Sequence, residues 1–286
     1  MTETLQFLKC SGAGNDFVVI DNMDASIRSP QADLARALCS RPFGIGADGL
    51  LVLERSDRAD FGMKYYNADG SYGGMCGNGG RCIAMVAHKK GYGGTSLHFD
   101  ALDHVYEAEI FSDSVRLHMK NPLGLRLGCD IRVAGGTQAY TYVDTGSPHV
   151  VVFENNLAST EVVKRGKELR FHDRFKPAGT NVDFVQVQSA SSIEVRTYER
   201  GVENETLACG TGSVAAAVVA ALVKKCRPPI EVHVRSGETL RVDFNLNNLG
   251  ISEATLQGSA HILFEGCALY DSDSRKIQCK NLAGSK

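Results

Sequence analysis

Two cysteines stand where a thiol could do chemistry. Cys76 opens the stretch Cys-Gly-Asn-Gly-Gly and Cys209 opens Cys-Gly-Thr-Gly-Ser. Each precedes an apolar run that predicts a helix, Ile83 to Ala87 after the first and Val214 to Leu222 after the second. The first turn of a helix carries unpaired N–H groups and a partial positive charge. A thiol placed there is expected to have a pKa below the usual ~8.5. The same N–H groups offer a seat to a carboxylate, and Gly77, Gly79, Gly210 and Gly212 let a ligand come close to the backbone. Alone, either cysteine reads as readily as a small apolar residue in a tight turn. The pair reads differently. If both helix starts face one cleft, one carboxylate can accept hydrogen bonds from both. The neighbouring carbon then lies between two thiols. One thiolate removes its proton and the other thiol delivers one to the opposite face, which inverts the stereocentre. The helix N-termini would stabilise the charge that develops on the carboxylate. Such chemistry requires no metal and no pyridoxal cofactor.

Elements must hold the two thiols in place, and the chain repeats the elements that would do so. Tyr65-Tyr66-Asn67 leads through a polar turn to Cys76, and Thr197-Tyr198-Glu199-Arg200 leads likewise to Cys209. Asn67 and Arg200 stand equally far upstream of their cysteines. Both predicted helices end in lysines, Lys89-Lys90 before Gly91 and Lys224-Lys225 before Pro228-Pro229, as suits a helix C-terminus. A further resemblance joins Gly12–Asp21 to Ala178–Val187, where Gly, Asn and Asp-Phe-Val follow in order. Strands are expected at 16–21, 50–54, 63–66, 105–111, 140–143, 150–153, 183–188 and 193–198, which are rich in β-branched and aromatic residues. Residues 230–244 read as a hairpin with Ser236-Gly237 as its two-residue turn. Other helices are expected at 30–40 and 159–169. The helix after Cys209 is apolar almost all round, so it must be surrounded. The fold expected is α+β: two pseudo-symmetric domains, each a curved, mostly antiparallel sheet or barrel around a central helix, with the active site in the cleft between them. The boundaries expected are 1–118, completed by a C-terminal strand near 266–271, then 119–265, then a flexible tail at 272–286.

Composition narrows the partners. Net charge is −2 over 286 residues, with no basic tract, so neither nucleic acid nor a membrane surface is expected. No apolar run reaches the ~18 residues of a membrane span. Nine cysteines, an odd number, without a leader pattern in the first ten residues, point to reduced thiols and a cytoplasmic protein. No C-x-x-C pair or Cys/His cluster has zinc spacing, so no metal site is expected. Neither glycine-rich stretch has the Lys-Ser/Thr ending of a phosphate loop, and Gly12–Phe17 lacks the third glycine of a dinucleotide site.

The runs SGAGNDFVVID, RPFGIGADGLL, NADGS, MCGNGGRC, GSPH, GTNVDFV, YERGVENETLACGTG and the closing FEG together resemble the diaminopimelate epimerases, over nearly the whole chain. The resemblance implies cofactor-independent interconversion of LL- and meso-diaminopimelate, a step of lysine and cell-wall precursor biosynthesis. It implies Cys76 and Cys209 as the acid/base thiols. The backbone of Gly77, Asn78, Gly210 and Thr211 would hold the reacting carboxylate. Asn15 and Glu199 would meet the reacting ammonium. Asn67, Asn181 and Arg200 would grip the distal end of the substrate, and His149 and Glu199 would position or deprotonate the thiols. A homodimer is compatible with it. The chain departs from the family at Ser147, where Gly-Asn-Pro-His is usual. The shorter side chain leaves the chemistry intact and leaves open a broader, pyridoxal-independent amino acid racemase.

Overall fold

A computed structural model describes residues 2–247 and 250–279. The chain forms two compact units, Met1–Leu117 with Ser259–Lys286, and His118–Gly258. The first unit contains β1 (Thr2–Gly12), β2 (Asn15–Asp21), α1 (Gln31–Cys39), β3 (Gly49–Glu54), β4 (Phe61–Asn67), α2 (Gly77–Lys90), β5 (Ser96–Ala101), β6 (His104–Ile110) and β7 (Ser114–His118). The second contains β8 (Leu123–Val133), β9 (Gly136–Asp144), β10 (Pro148–Phe153), α3 (Val162–Arg170), β11 (Asn181–Ser189), β12 (Ser192–Glu199), β13 (Asn204–Thr206), α4 (Gly210–Lys224), β14 (Ile230–Val234), β15 (Thr239–Asn247) and β16 (Gly250–Ser259). The chain then returns to the first unit with β17 (His261–Asp271) and β18 (Lys276–Cys279).

In the first unit the neighbouring strands run β18, β17, β1, β2, β3, β4, β5, β6, β7. All pairs are antiparallel except β2–β3 and β4–β5, which are parallel and joined through α1 and α2. In the second unit they run β8, β9, β10, β11, β12, β14, β15, β16, with β13 also paired to β12. Again only β10–β11 and β12–β14 are parallel, joined through α3 and α4. The two units therefore share one strand plan. Tyr65–Cys76 and Thr197–Cys209 occupy equivalent places in it, at β4–α2 and β12–α4. The other repeat does not: Gly12–Asp21 belongs to the β1–β2 hairpin, whereas Ala178–Val187 leads into β11, whose equivalent is β3. Asn and Asp-Phe-Val recur there because both segments enter buried strands from a polar turn.

Two layers of helix sandwich the most buried strands. α2 packs against β1 to β6 and β17, and α4 against β9 to β12, β14 and β15. On the other sheet face, α1 lays Leu34 and Leu38 against Leu5, Phe7, Ile20, Leu50 and Val52. α3 lays Val162 and Leu169 against Val150, Val152, Val182, Phe184 and Tyr198. A strand covered on both faces loses its polar alternation, which is why residues 49–53 are buried without a break. α2 ends where Gly91 turns left-handed at φ 80° and bonds back to His88. α4 ends similarly at Lys225, φ 61°.

Several expectations change. Strand β17 is 11 residues long and pairs with β1 from Thr2 to Ser11, and the return to the first unit begins near Ser259. Part of the expected tail is β18, paired to β17, and residues 280–286 lie outside the described ones. Ser236-Gly237 is not a two-residue turn. Gly237 N–H bonds to Val234 O across Arg235-Ser236, and Gly237 itself takes φ 86°, so the loop is longer by a bulge residue. Strands β1, β5, β7, β8, β13 and β16 were not expected. In β8 nearly every residue is exposed, leaving no buried alternation to read.

Candidate active site

Each cysteine is the N-cap residue of the inner helix of its unit, without a side-chain capping bond. Cys76 (φ −123°, ψ 126°) and Cys209 (φ −123°, ψ 115°) are both extended, and the helix begins at the next residue. The first N–H to bond back is that of Gly80, to Cys76 O, and that of Ser213, to Cys209 O. The intervening N–H groups belong to Gly77, Asn78 and Gly79, and to Gly210, Thr211 and Gly212. This is the ordinary donor set of a helix N-terminus and fits a carboxylate. Cys76 is half-buried; Cys209 is buried.

In the first unit, Asn15 begins β2 and donates through Nδ2 to Asp48 Oδ2 at 2.8 Å. Its Oδ1 accepts from Asn78 Nδ2 at 2.6 Å, and Asn78 Oδ1 accepts from Arg81 Nη2 at 2.8 Å. Arg81 is fully buried in the second turn of α2. The row ties the β1–β2 turn to the helix start. Asp48 is also held by Arg41 at 2.7 Å. Asn67 lies apart from this row at the end of β4. Its Oδ1 accepts from Tyr65 Oη at 2.8 Å and its Nδ2 donates to Ser71 Oγ at 2.9 Å. Asp48, Arg81 and Tyr65 were missed by the sequence reading. Arg81 carried a signal, a charge directly ahead of the apolar run of its helix.

In the second unit, alternation along the strands sorts the side chains. Val182 and Phe184 of β11 face α3, so Asp183 faces the other way, toward α4. A Cβ on Gly212 would lie 2.4 Å from Asp183 Oδ1, so only glycine lets the helix start come down onto that carboxylate. His149 of β10 is fully buried, with Nδ1 2.7 Å from Asp183 Oδ2. His149 Nε2 lies 3.0 Å from both Thr211 Oγ1 and Ser147 Oγ. Thr211 Oγ1 is 3.5 Å from Cys209 Sγ. Asn181 Nδ2 donates to Pro148 O at 3.0 Å, and its Oδ1 accepts from the Arg200 N–H at 2.8 Å. Arg200 donates through Nη1 to Ala178 O at 3.1 Å. Thus the structure brings His149, Ser147, Asn181, Thr211, Arg200 and Cys209 into one hydrogen-bonded neighbourhood. Its buried centre, Asp183, was not singled out from the sequence.

The expected low pKa of the thiol does not hold at Cys209. Burial pushes it well above the ordinary cysteine value, and the charges of Glu199 and Asp183 push it further. The Thr211 hydroxyl and the Gly212 N–H act the other way and are outweighed. Desolvation is a larger effect here than the helix start. Among the described residues no group of three or more His, Cys, Asp and Glu side chains could hold a metal ion, and no helix is long and apolar enough to cross a membrane.

Solved structures define the class of fold. A PhzF-family phenazine biosynthesis protein from Bacillus anthracis matches with a TM-score of 0.71 at 14% identity, covering 93% of this chain and 99% of that one. A hydroxyproline epimerase from Agrobacterium vitis matches with a TM-score of 0.71 at 15% identity, covering 92% of each. The fold is α+β, of the type these proteins share. The diaminopimelate epimerase family model matches residues 7–122 and 141–253. The diaminopimelate epimerase of Chlorobaculum tepidum is 46% identical over 260 residues, 90% of this chain and 98% of that protein. That of Aquifex aeolicus is 40% identical over 275 residues, 92% and 97%. The chain belongs to the diaminopimelate epimerase family, and so to the isomerases.

Proposed function

We propose that this chain epimerises diaminopimelate between its LL and meso forms, with Cys76 and Cys209 as the paired acid and base. Family membership supports the substrate. The observation that carries the thiol pair is their equivalence: each caps the inner helix at the same place in a strand plan that the two units share. One thiolate takes the α-proton while the other thiol gives a proton to the opposite face, so the carbon inverts and the thiols exchange roles. The N–H groups of Gly77, Asn78, Gly210 and Thr211 hold the α-carboxylate and stabilise the charge that builds on it. Asn15 and Glu199 meet the ammonium. Asn67, Asn181 and Arg200 hold the distal end, where a guanidinium suits a carboxylate because its fork is bidentate. Burial and the charges of Glu199 and Asp183 raise the pKa of the Cys209 thiol. Binding an ammonium beside Glu199 offsets one of the charges that raise it.

The test is deuterium uptake at Cα from D2O, with diaminopimelate, glutamate and alanine as substrates. Only diaminopimelate should exchange rapidly. Cys76→Ala and Cys209→Ala should each abolish inversion with the thermal midpoint little changed, because neither thiol can reach the face the other serves. Appreciable inversion in either variant would remove the two-thiol mechanism. Comparable exchange of all three substrates would replace the epimerase reading with that of a broad racemase.

A further inference from the structure

Asp183 is a charged side chain inside an apolar strand, and it is fully buried. A buried carboxylate is costly unless every lone pair is used. Here both oxygens are engaged. Oδ1 accepts from Thr197 Oγ1 at 2.7 Å, directly across the β11–β12 pair, and Oδ2 meets His149 Nδ1 at 2.7 Å. A carboxylate only accepts, so in the neutral imidazole the hydrogen resides on Nδ1. Nε2 is then left as an acceptor, 3.0 Å from the Thr211 hydroxyl. When its hydrogen is given to His149, that hydroxyl offers its oxygen to the thiol of Cys209 at 3.5 Å, a contact in which either atom can donate. One orientation of the row runs from thiol to threonine, threonine to histidine and histidine to aspartate.

We propose that Asp183 is a positioning residue that fixes His149 to accept, through the Thr211 hydroxyl, the proton Cys209 must shed before it acts as a base. The inference deepens the reading of Cys209 as an acid/base group and rests on it. In the step, the Sγ–H bond breaks as Thr211 Oγ1 takes the proton. The O–H bond of Thr211 breaks as His149 Nε2 takes that one. The products are a thiolate and an imidazolium, and the imidazolium faces Asp183 in a setting where an unpaired charge could not persist. No further reactant is needed, and the reverse transfer restores the thiol for its turn as acid. Glu199 is the other carboxylate whose charge reaches Cys209. Ser147 Oγ lies 3.0 Å from Nε2 and 3.2 Å from Thr211 Oγ1, so it competes with Thr211 for the same lone pair.

The experiment pairs a spectroscopic with a kinetic readout on the full chain. In protein labelled with 15N-histidine, the His149 signal, assigned by its loss in His149→Gln, should report hydrogen on Nδ1. In Asp183→Asn the amide donates instead, and hydrogen should move to Nε2. Turnover of diaminopimelate in Asp183→Asn should fall about a hundredfold through kcat, with KM little changed. Thr211→Val should lose a comparable factor, and Thr211→Ser, which keeps the hydroxyl, should restore most of it. Hydrogen on Nε2 in the unaltered protein, unchanged kcat in Asp183→Asn, or equal loss in Thr211→Ser and Thr211→Val would each overturn the relay. The Thr211 pair and the unaltered protein decide the matter if Asp183→Asn does not fold. Absence of Cα exchange in the unaltered protein would sink the epimerase reading itself. Exchange there with an indifferent Asp183→Asn sinks the relay alone.

Discussion

At Cys209, burial and two carboxylates outweigh a helix start, and that balance can be measured. Because its pKa is raised, the thiolate is scarce below the ordinary cysteine range and grows only as pH passes above it. Alkylation of Cys209 by iodoacetamide, followed by peptide mapping, should be slow across the ordinary cysteine range and accelerate only above it. Glu199→Gln removes one of the raising charges, so the same curve should move to lower pH. A curve that stays in place would mean Glu199 does not act on the thiol. At Arg200, which is half-buried, the proposed partner is a distal carboxylate, whose two-pronged contact with the guanidinium methionine cannot replace. Arg200→Met should cut kcat/KM for diaminopimelate by orders of magnitude and barely alter slow exchange of alanine; equal losses would put Arg200 at the reacting end. The two cysteines were legible because each stands in a short pattern with its own physical logic: glycines after it, an apolar run, cations at the far end. Asp183 was less so. Its neighbours in Asn-Val-Asp-Phe-Val read as strand, and the clue was the charge itself, placed on the face that alternation turns inward.

Among the elements, the seating of α4 on β11 depends on Gly212. An added methyl would meet Asp183 Oδ1 at 2.4 Å and Cys209 Cβ at 3.3 Å. Gly212→Ala should therefore destabilise by about 1–3 kcal/mol, the usual range for overpacking, and should also lower kcat by moving the relay. Gly91 lies at a helix end with nothing near its Cβ position; Gly91→Ala should cost stability through its φ of 80° but leave kcat alone. The β1–β2 hairpin is tied by another device. Lys9 is buried and bonds to Asp16 Oδ2 at 2.6 Å and to Gly46 O, while Arg41 reaches Asp16 from outside at 2.8 Å. Burial alone would raise the Asp16 pKa, but the bonds from Arg41 and Lys9 win and hold it below the ordinary value. A folded pKa below the unfolded one gives stability that is present above the unfolded value, about 3.9, and is lost as pH falls through the folded one. The thermal midpoint should decline in that acid window, and Asp16→Asn should flatten the decline while lowering the midpoint at pH 7. Elements covered on both faces were readable from their unbroken apolar runs. Strand β8 was not, because exposed Leu123, Leu125 and Leu127 alternate with residues that are exposed too.

At the scale of the molecule, one plan is used twice, and the copies differ in how the chain supplies their parts. The second unit is drawn from one continuous stretch, His118–Gly258, whereas the first takes β17 and β18 from beyond it. Gly266 of β17 lies against Phe7 of β1 so closely that a Cβ would meet the ring at 2.6 Å. Gly266→Val should lower the stability of the first unit, and calorimetry should separate its transition from that of the second. The borrowed strand also sets a schedule during synthesis. At about 5–20 residues per second, the interval between Leu117 and Asp271 lasts on the order of ten to thirty seconds. Through that interval β1 has no partner on the side that β17 will occupy, and an unpaired strand invites wrong neighbours. The downstream unit, though made later, is the earlier one to have all its strands. Nascent chains halted after Gly258 has emerged and before β17 has should yield a protease-resistant fragment from His118–Gly258, while the residues made first are still cut.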